Sequence, residues 1–281
     1  MPRLHLAAVG DNCIDRYLAL GRARVGGNAL NVAVHFALAG QASFYFGAVG
    51  DDAAGVWTRE ALTANGVDVG HLQIRPEVTA YTDIDHGPEG DRIFAFEEFG
   101  ACRAYRPNAG DMAALARMDH VHLGWLEGPP LSDALRGAAA TVSRDCAVNR
   151  AGGPVDVAFG SVGESLDLAL RERDRLLAEG HRLAVVTCGA AGSLASDGIR
   201  DWRAGSPAIA PVDTTGAGDT FIARFLAAWK GGAEIGAALD AAGRAAARSC
   251  LHLGGFPQED RVLERVPDRP AEGRAGPGAQ A

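Results

Sequence analysis

Residues 213–221 read DTTGAGDTF, a combination of glycines and acids that could bind an anion and act on it. A helical pattern, FIARFLAAW, follows directly, so the glycines lie where a loop becomes the N-terminus of a helix. Backbone amides point outward at such a terminus, and the helix dipole favours negative charge there. We therefore predict an anion hole formed by the amides of Gly216, Ala217 and Gly218, with the carboxylate of Asp219 beside it. We expect Gly218 either to adopt a backbone conformation closed to residues with a Cβ or to let the anion approach closely.

A transferring phosphoryl group is the anion that fits this arrangement. Phosphoryl transfer depends mostly on charge stabilisation and alignment, so amides and one base can serve if a metal ion and arginine assist. Asp219 would accept the proton of the attacking hydroxyl. A Walker-type loop is excluded because the only lysine is Lys230, and a dinucleotide fingerprint because its third glycine would fall at Phe221. The alternative is a plain helix start whose glycines only ease a tight turn.

The composition is that of an ordinary soluble protein of 281 residues, with 47% hydrophobic and 22% charged residues. A formal net charge of −8 disfavours nucleic acid or an acidic membrane as the main partner. The five cysteines are dispersed and form no CxxC pair, which is typical of free thiols in a reducing compartment. We see neither a signal peptide nor a run of about 18 apolar residues, and we expect a cytoplasmic protein.

Short apolar runs alternate with helical patterns along most of the chain. LHLAAVG (4–10) suits a buried strand, GGNALNVAVHFALAG (26–40) a helix, SFYFGAVGDD (43–52) a second strand and VWTREALTANG (56–66) a second helix. Later strand-like segments are HVHLGWLEG, ATVSRDCAV, VDVAF and RLAVVTCG, and later helical ones are SDALRGAAATV and ESLDLALRERDRLLAEG. This alternation predicts an α/β fold with a doubly wound, mostly parallel sheet.

Residues 72–99 alternate β-branched and aromatic side chains with polar ones around the turn HGPEGD, which predicts a hairpin of a small exposed sheet. The C-terminal segment is rich in Pro, Gly and Ala, and we predict that it is disordered. The chain is therefore divided into one domain over 1–260, with small-sheet strands near 12–25 and 72–100, and a tail over 261–281.

Several distinctive loops are predicted at one edge of the main sheet. A parallel sheet binds ligands at the carboxyl ends of its strands. Five loops fall at such ends: GDNCID (10–15), GGN (26–28), LEGPP (126–130), TCGAAGS (187–193) and DTTGAGD (213–219). Their number on one edge indicates a binding site.

Two of these segments resemble the signatures of a known family. GGNALNVAVHFALAG with GAVGDD, and PVDTTGAGDTF, are similar to the two signatures of the ribokinase-like (PfkB) carbohydrate kinases, and the similarity runs from about residue 6 to 258. The resemblance implies a doubly wound sheet with a small β lid, ATP with Mg²⁺ as donor, and a sugar hydroxyl as acceptor. GDNCID, GGNALNVAV and the hairpin's DRIF are most similar to members acting on the 6-hydroxyl of fructosamines such as fructoselysine.

The resemblance also implies residues that bind the sugar. Asp15, Gly27 and Asn31 match the positions where the family contacts sugar hydroxyls. Arg92 of DRIF is our single choice for the charged, amino-acid half of a fructosamine. Read without the resemblance, Asp15 could bond its own backbone in a turn, and Asn31 could face solvent from a helix.

The nucleotide side depends on shorter motifs. In TCGAAGS, the resemblance implies that Thr187, Gly189 and Gly192 border the nucleotide, and a glycine-rich helix entry without a ligand is the alternative. Asp213, together with Gly254, resembles positions around a monovalent cation site, so K⁺ is a candidate cofactor beside ATP and Mg²⁺.

Two segments depart from the family pattern. Where the family usually has Asn-x-x-Glu, this chain has Ser161 and Glu164. Glu164 would help to order Mg²⁺ indirectly, or would form a capping pair with Ser161 at a helix start. Between Asp145 and Val155 the chain is shorter than is usual in the family, which we expect to affect turnover and nucleotide affinity.

We therefore expect a sugar kinase that uses ATP and Mg²⁺, acts on a small-molecule sugar, forms a homo-oligomer, and binds neither nucleic acid nor membrane. A ribokinase-like segment at Glu127 keeps open a kinase for ribose, fructose, a ketodeoxy acid or a nucleoside. A non-catalytic sugar or nucleotide sensor is disfavoured because Asp219 is intact. A nucleotide-dependent oxidoreductase is disfavoured because the dinucleotide fingerprint is missing.

Overall fold

The computed structural model describes residues 3–86 and 92–263. The strands are β1 (His5–Val9), β2 (Cys13–Tyr17), β3 (Arg22–Gly26), β4 (Ala42–Gly50), β5 (Val67–Arg75), β6 (Tyr81–His86), β7 (Arg92–Glu98), β8 (His120–Leu123), β9 (Thr141–Asp145), β10 (Val157–Ser161), β11 (Leu183–Thr187), β12 (Ser193–Ser196), β13 (Asp201–Ala204) and β14 (Arg261–Val262). The helices are α1 (Asn28–Leu38), α2 (Ala53–Ala64), α3 (Gly100–Ala104), α4 (Ala109–Leu115), α5 (Leu131–Ala134), α6 (Leu166–Ala178), α7 (Ala217–Lys230) and α8 (Ile235–Ser249).

The main sheet has the predicted doubly wound form. Within the described residues its nine strands run in the order β13-β12-β11-β10-β9-β8-β1-β4-β5. The strands from β11 to β5 are parallel, and β12 and β13 are antiparallel additions at one edge. The chain winds outward from β1 in one direction through β4 and β5, and in the other through β8 to β11. The crevice between β1 and β8 is therefore the topological switch point, where ligands bind in such sheets.

Helices cover both faces of this sheet, so its inner strands are buried on both sides. On β1, Leu6 and Ala8 belong to one hydrophobic core, and Ala7 and Val9 to the other. Successive side chains of a strand point to opposite faces, which explains this alternation and the continuous apolar run in the sequence. Helices α1, α2, α7 and α8 pack against the first core, and α4, α5 and α6 against the second.

In the described part of the chain, a second sheet of five strands, in the order β14-β3-β2-β6-β7, forms the small β layer. The predicted hairpin is present as β6 and β7, and its turn at residues 87–91 lies outside the described part of the chain. The prediction that it begins at residue 72 is wrong. Residues 67–75 form β5, whose register with β4 runs as far as the pair Gly50 and Arg75, so this segment belongs to the main sheet.

Two further boundaries differ from the sequence prediction. The helix predicted over 132–142 stops at Ala134, because Gly137 adopts a positive φ of 85° and the chain then enters β9. The tail predicted to be disordered from residue 261 begins with ordered chain, since β14 pairs with β3. The remaining residues, 264–281, lie outside the described part of the structure.

The cysteine prediction agrees with the structure. All five cysteines are free, and each is buried or half-buried. Among residues 3–86 and 92–263, no helix has both the length and the apolar character needed to cross a bilayer.

Candidate active site

Asp11 joins three elements at the switch point. It follows β1, and its carboxylate accepts hydrogen bonds from the amides of Asn28 and Ala29, where α1 begins, at 2.7 and 3.3 Å. The same carboxylate accepts a bond from the amide of Trp125, just after β8, at 3.1 Å. The neighbouring Asn12 donates to the Tyr45 hydroxyl at 3.0 Å and so braces the turn from the β4 side. The Asp11 carboxylate thus joins the end of β1 to the start of α1 and to the residue that follows the end of β8.

Asp219 lies in the first turn of α7 and points into this crevice. Its side chain is held by two amides from α1: Asn28 Nδ2 donates to one carboxylate oxygen at 2.6 Å, and Asn31 Nδ2 donates to the other at 2.8 Å. The residue is 8% exposed. Two donors on two oxygens fix the plane of the carboxylate and leave its remaining lone pairs available to a hydroxyl proton.

Sequence reasoning missed Asn28 and Asp145. Asn28 Nδ2 also donates to Asp145 at 3.0 Å, so a single amide lies between the carboxylates of Asp145 and Asp219. Asn28 stands between two residues that the motif did single out, Gly27 and Asn31. Asp145 is an acid at the carboxyl end of a buried strand, which is the signal that could have identified it.

Four carboxylates, those of Asp11, Asp15, Asp145 and Asp219, share this region, and we call it the acidic cleft. Burial raises the pKa of Asp219 well above its ordinary value, and the negative charges of the other three acids raise it further. Burial also raises the pKa of Asp145, to about 6. A carboxylate with a raised pKa is a stronger base toward a hydroxyl proton.

The turn before α7 provides free backbone donors. Gly216 is the N-cap and has φ of 71°, in the left-handed region. Within the described residues, no acceptor is bonded to the amides of Gly216, Gly218 and Asp219, whereas the amide of Ala217 donates to Thr214 at 3.2 Å. Three unbonded amides at a helix N-terminus form the positively polarised end that was predicted, with Ala217 contributing less than expected.

The structure also corrects which glycine the turn requires. A Cβ on Gly216 would lie 2.5 Å from the Cα of Gly255, while a Cβ on Gly218 would meet nothing within 4 Å. Gly218 has no positive φ, so the expectation that its backbone excludes other residues is wrong. Its other expected role, close approach of a phosphate, stays a prediction.

The predicted sugar residues lie together beside Asp219. Asp15 is on β2 and is 5% exposed, with its carboxylate close to Gly26, where an added Cβ would lie 2.3 Å from it. Gly27 is the N-cap of α1 with φ of 111°, and a Cβ there would lie 2.4 Å from the Cα of Asn12. Asn31 faces Asp219 and not solvent, so the solvent-facing alternative is wrong. Arg92 begins β7, and its side chain lies outside the described part of the structure.

The predicted nucleotide residues form a separate turn after β11. Thr187 ends that strand, and Gly189 and Gly192 follow with φ of 52° and 101°. A Cβ on Gly189 would lie 3.2 Å from the Cγ of Glu164, so the exposed Glu164 lies against this turn. The structure therefore brings Thr187, Gly189, Gly192 and Glu164 together near the carboxyl ends of β10 and β11.

The capping alternative for Ser161 and Glu164 is wrong. Ser161 ends β10, and its hydroxyl accepts a hydrogen bond from the Thr187 hydroxyl at 3.1 Å. The N-cap of α6 is Ser165, whose hydroxyl accepts from the amide of Leu168 at 3.3 Å. Glu164 is therefore in the loop before the helix.

Asp213 connects the loop before α7 to two other parts of the chain. One of its carboxylate oxygens accepts from the Tyr17 hydroxyl at 3.1 Å and from the amide of Gly254 at 2.8 Å. The other accepts from the amide and hydroxyl of Thr215 at 2.9 and 2.8 Å. The structure thus brings Asp213 and Gly254 together as predicted and also links them to the small sheet.

The shortened segment after Asp145 forms a compact loop against β8. The amide of Ala147 donates to the Asp145 carboxylate at 2.9 Å, and the side-chain amide of Asn149 donates to the carbonyl of Gly124 at 2.8 Å. The loop therefore supports Asp145 directly. Among the described residues, no group of three or more His, Cys, Asp and Glu side chains could hold a metal ion by itself.

Comparison with known proteins gives one family. The model of the pfkB family carbohydrate kinases matches residues 21–155 and 156–259. The fructoselysine 6-kinase of Escherichia coli (strain K12) is 32% identical over 260 residues, covering 89% of this chain and 99% of that protein. The fructosamine kinase of Bacillus subtilis (strain 168) is 29% identical over 267 residues, covering 90% and 93%.

Solved structures give the same fold. The ribokinase of Arabidopsis thaliana, complexed with ribose and ATP, matches with a TM-score of 0.77 and 22% sequence identity, over 90% of this chain and 94% of that one. The likeness confirms the predicted ribokinase-like architecture, a doubly wound sheet with a smaller sheet beside it.

Proposed function

This chain belongs to the pfkB family of carbohydrate kinases, and we propose that it transfers a phosphoryl group from ATP to the 6-hydroxyl of a fructosamine such as fructoselysine. Two relatives whose names specify fructoselysine or fructosamine match this chain over about nine-tenths of its length, 89% and 90%. The acidic cleft supports the same substrate class, because four carboxylates around a sugar site favour an acceptor that carries a positive charge.

The observation that carries the proposal is that the oriented carboxylate of Asp219 lies in the same turn as unbonded backbone amides. Asp219 accepts the proton of the attacking hydroxyl, since two amides orient it and its raised pKa makes it a suitable base. The unbonded amides of Gly216 and Gly218 lie in the same turn and bind the oxygens of the transferring group. Proton removal and charge stabilisation are thus provided within one turn of α7.

The residues present fit ATP with Mg²⁺. Mg²⁺ is usually bound by one or two carboxylates together with substrate phosphates, so a protein cage of three ligands is not needed. Glu164, next to the Gly189 turn, is the carboxylate we assign to this indirect role, and Thr187 and Gly192 border the nucleotide. When bound, Mg²⁺ supplies neutralisation of the phosphate charge.

On the acceptor side, Asp15 and Asn31 bind sugar hydroxyls, and Gly27 lets the sugar approach the start of α1. Asp213, with Gly254, is the candidate for a K⁺ site. The alternative acceptors suggested by the segment at Glu127 receive less support, because the Glu127 carboxylate forms an ion pair with Arg103 at 3.2 Å.

A substrate panel tests the proposal. Purified protein with ATP and Mg²⁺ is offered fructoselysine, fructose, ribose, a ketodeoxy acid and a nucleoside, with ADP release as the readout and product mass as confirmation. We expect the highest kcat/KM for fructoselysine. A higher value for one of the other acceptors would replace the substrate assignment, and no ADP release with any acceptor would favour a sensor.

Arg92→Ala adds a test of the substrate's charged half. Because the variant removes a charge-assisted hydrogen-bond donor, KM for fructoselysine should rise by roughly 10- to 100-fold, and KM for fructose should change much less. Equal effects on the two substrates would contradict this role for Arg92.

A further inference from the structure

One face of the small sheet forms a wall of the acidic cleft. Thr82 on β6 is paired in register with Asp15 on β2, and Glu97 on β7 is paired with Thr82. Residues directly paired on neighbouring strands point to the same face of a sheet. Glu97 therefore lies in one row with Asp15. Strands are about 4.8 Å apart, so the two Cα atoms are separated by about 10 Å.

The opposite face of this sheet carries the charged side chains of Arg16 and Asp83, which bond to each other. Arg16 is paired in register with Asp83, and its guanidinium bonds to the Asp83 carboxylate at 2.6 Å and stacks 3.7 Å from the ring of Tyr81. Phe96, paired with Asp83, lies against Tyr81 with ring centroids 5.8 Å apart. Asp83, one of the acids of this hairpin, is therefore directed away from the sugar.

Contacts beyond β7 place Glu97 beside the cleft. Phe99, two residues further along the chain, stacks on Trp125 with ring centroids 4.4 Å apart. The amide of Trp125 donates to Asp11. This end of β7 thus borders the acidic cleft at Asp11, and the two stacked rings extend that border.

Glu97 has the surroundings of a carboxylate that binds a cation. It is half-buried, and within the described residues no hydrogen bond or ion pair engages its side chain. Burial raises the pKa of Glu97, and the negative charge of Asp11 raises it further. A partly buried carboxylate facing other carboxylates is stabilised by a positive charge placed between them.

We infer that Glu97 binds the protonated secondary amine of the acceptor and is a specificity-determining residue for aminated sugars. This inference rests on the proposed function, since plain sugars such as fructose and ribose carry no cation. The sugar would lie with its reacting hydroxyl at Asp219 and its amine toward Glu97. The alkyl chain beyond the amine would then meet the rings of Phe99 and Trp125.

The test compares Glu97→Gln with Glu98→Gln. Glu98 is adjacent in sequence, is paired with Tyr81 on the opposite face, and accepts a bond from the Gly100 amide at 3.0 Å, which a glutamine oxygen can also accept. KM and kcat are measured for fructoselysine, for 1-amino-1-deoxyfructose and for fructose, with fructose binding measured by calorimetry if its turnover is too slow. Thermal unfolding verifies that both variants are folded.

For Glu97→Gln we expect KM to rise by roughly 10- to 100-fold for both amines, with kcat and the constants for fructose unchanged. Glu98→Gln should resemble the wild type with all three compounds. An equal loss with fructose, or no loss with the amines, would overturn the role of Glu97 while leaving the proposed function intact. If the wild-type protein phosphorylates neither amine, the proposed function itself fails, and the inference fails with it.

Discussion

Substituting alanine at Gly216 should destabilise the protein and at Gly218 should not, although the two glycines are separated by one residue. Gly216 has φ of 71°, and a left-handed backbone costs a residue with a Cβ about 1–2 kcal/mol. Its Cβ would also lie 2.5 Å from the Cα of Gly255 and 3.3 Å from Asn31 Nδ2. Because one of these neighbours is backbone, overpacking adds about 1–3 kcal/mol.

Gly216→Ala should therefore lower the free energy of unfolding by about 2–5 kcal/mol, which corresponds to a fall in Tm of roughly 4–10 °C for a chain of this size. Gly218 lies in the first turn of α7 with open space where its Cβ would be, so Gly218→Ala should be neutral or should stabilise by up to about 1 kcal/mol.

Activity provides the second measurement. Displacing the Gly216 turn moves the free amides and Asn31, and losing one donor to a developing charge costs about 10²- to 10³-fold in kcat. Thermal unfolding and steady-state turnover of both variants form the assay. The reasoning would be refuted by a Gly216→Ala protein as stable and active as the wild type, or by an equal loss of stability in Gly218→Ala.

Three further predictions concern the same site. Asp219→Asn should lower kcat by about 10²- to 10⁴-fold while ATP binding, measured by calorimetry, is nearly unchanged; a variant that keeps more than about half of the activity would exclude a catalytic base. Activity should be lost as the pH falls through the raised pKa of Asp219, because the base must be deprotonated. Asp145→Asn removes a negative charge that raises this pKa, so the acidic limb of the pH profile of kcat/KM should move to lower pH. An acidic limb that stays in place or moves to higher pH would contradict an effect of Asp145 on the pKa of Asp219. Gly218→Val should abolish turnover in a folded protein because its side chain would obstruct the phosphate, whereas full activity would leave DTTGAGD a plain helix start.

The local features of the site could be predicted from the sequence. The start of α7 and the position of Asp219 in its first turn follow from two glycines placed before an apolar periodic run. Strand and helix alternation is also a local pattern, and it predicted the doubly wound sheet. Gly27 was implied by the family resemblance, and its φ of 111° at the start of α1 is likewise a local property of the chain.

Contacts between distant segments were decided only by the tertiary structure. Asn28 touches Asp145 and Asp219, which are 117 and 191 residues away in sequence, and no local pattern encodes such a pair. Likewise, the alternation of polar and apolar residues along β7 does not show which face of the strand lies toward the acidic cleft. That choice depends on the register with β6, which shifts between Asp83 and Ile84, and a shift of one residue reverses the face of every side chain that follows. The sequence thus determined which groups could do the chemistry, and the packing of strands and helices determined which of them face one another.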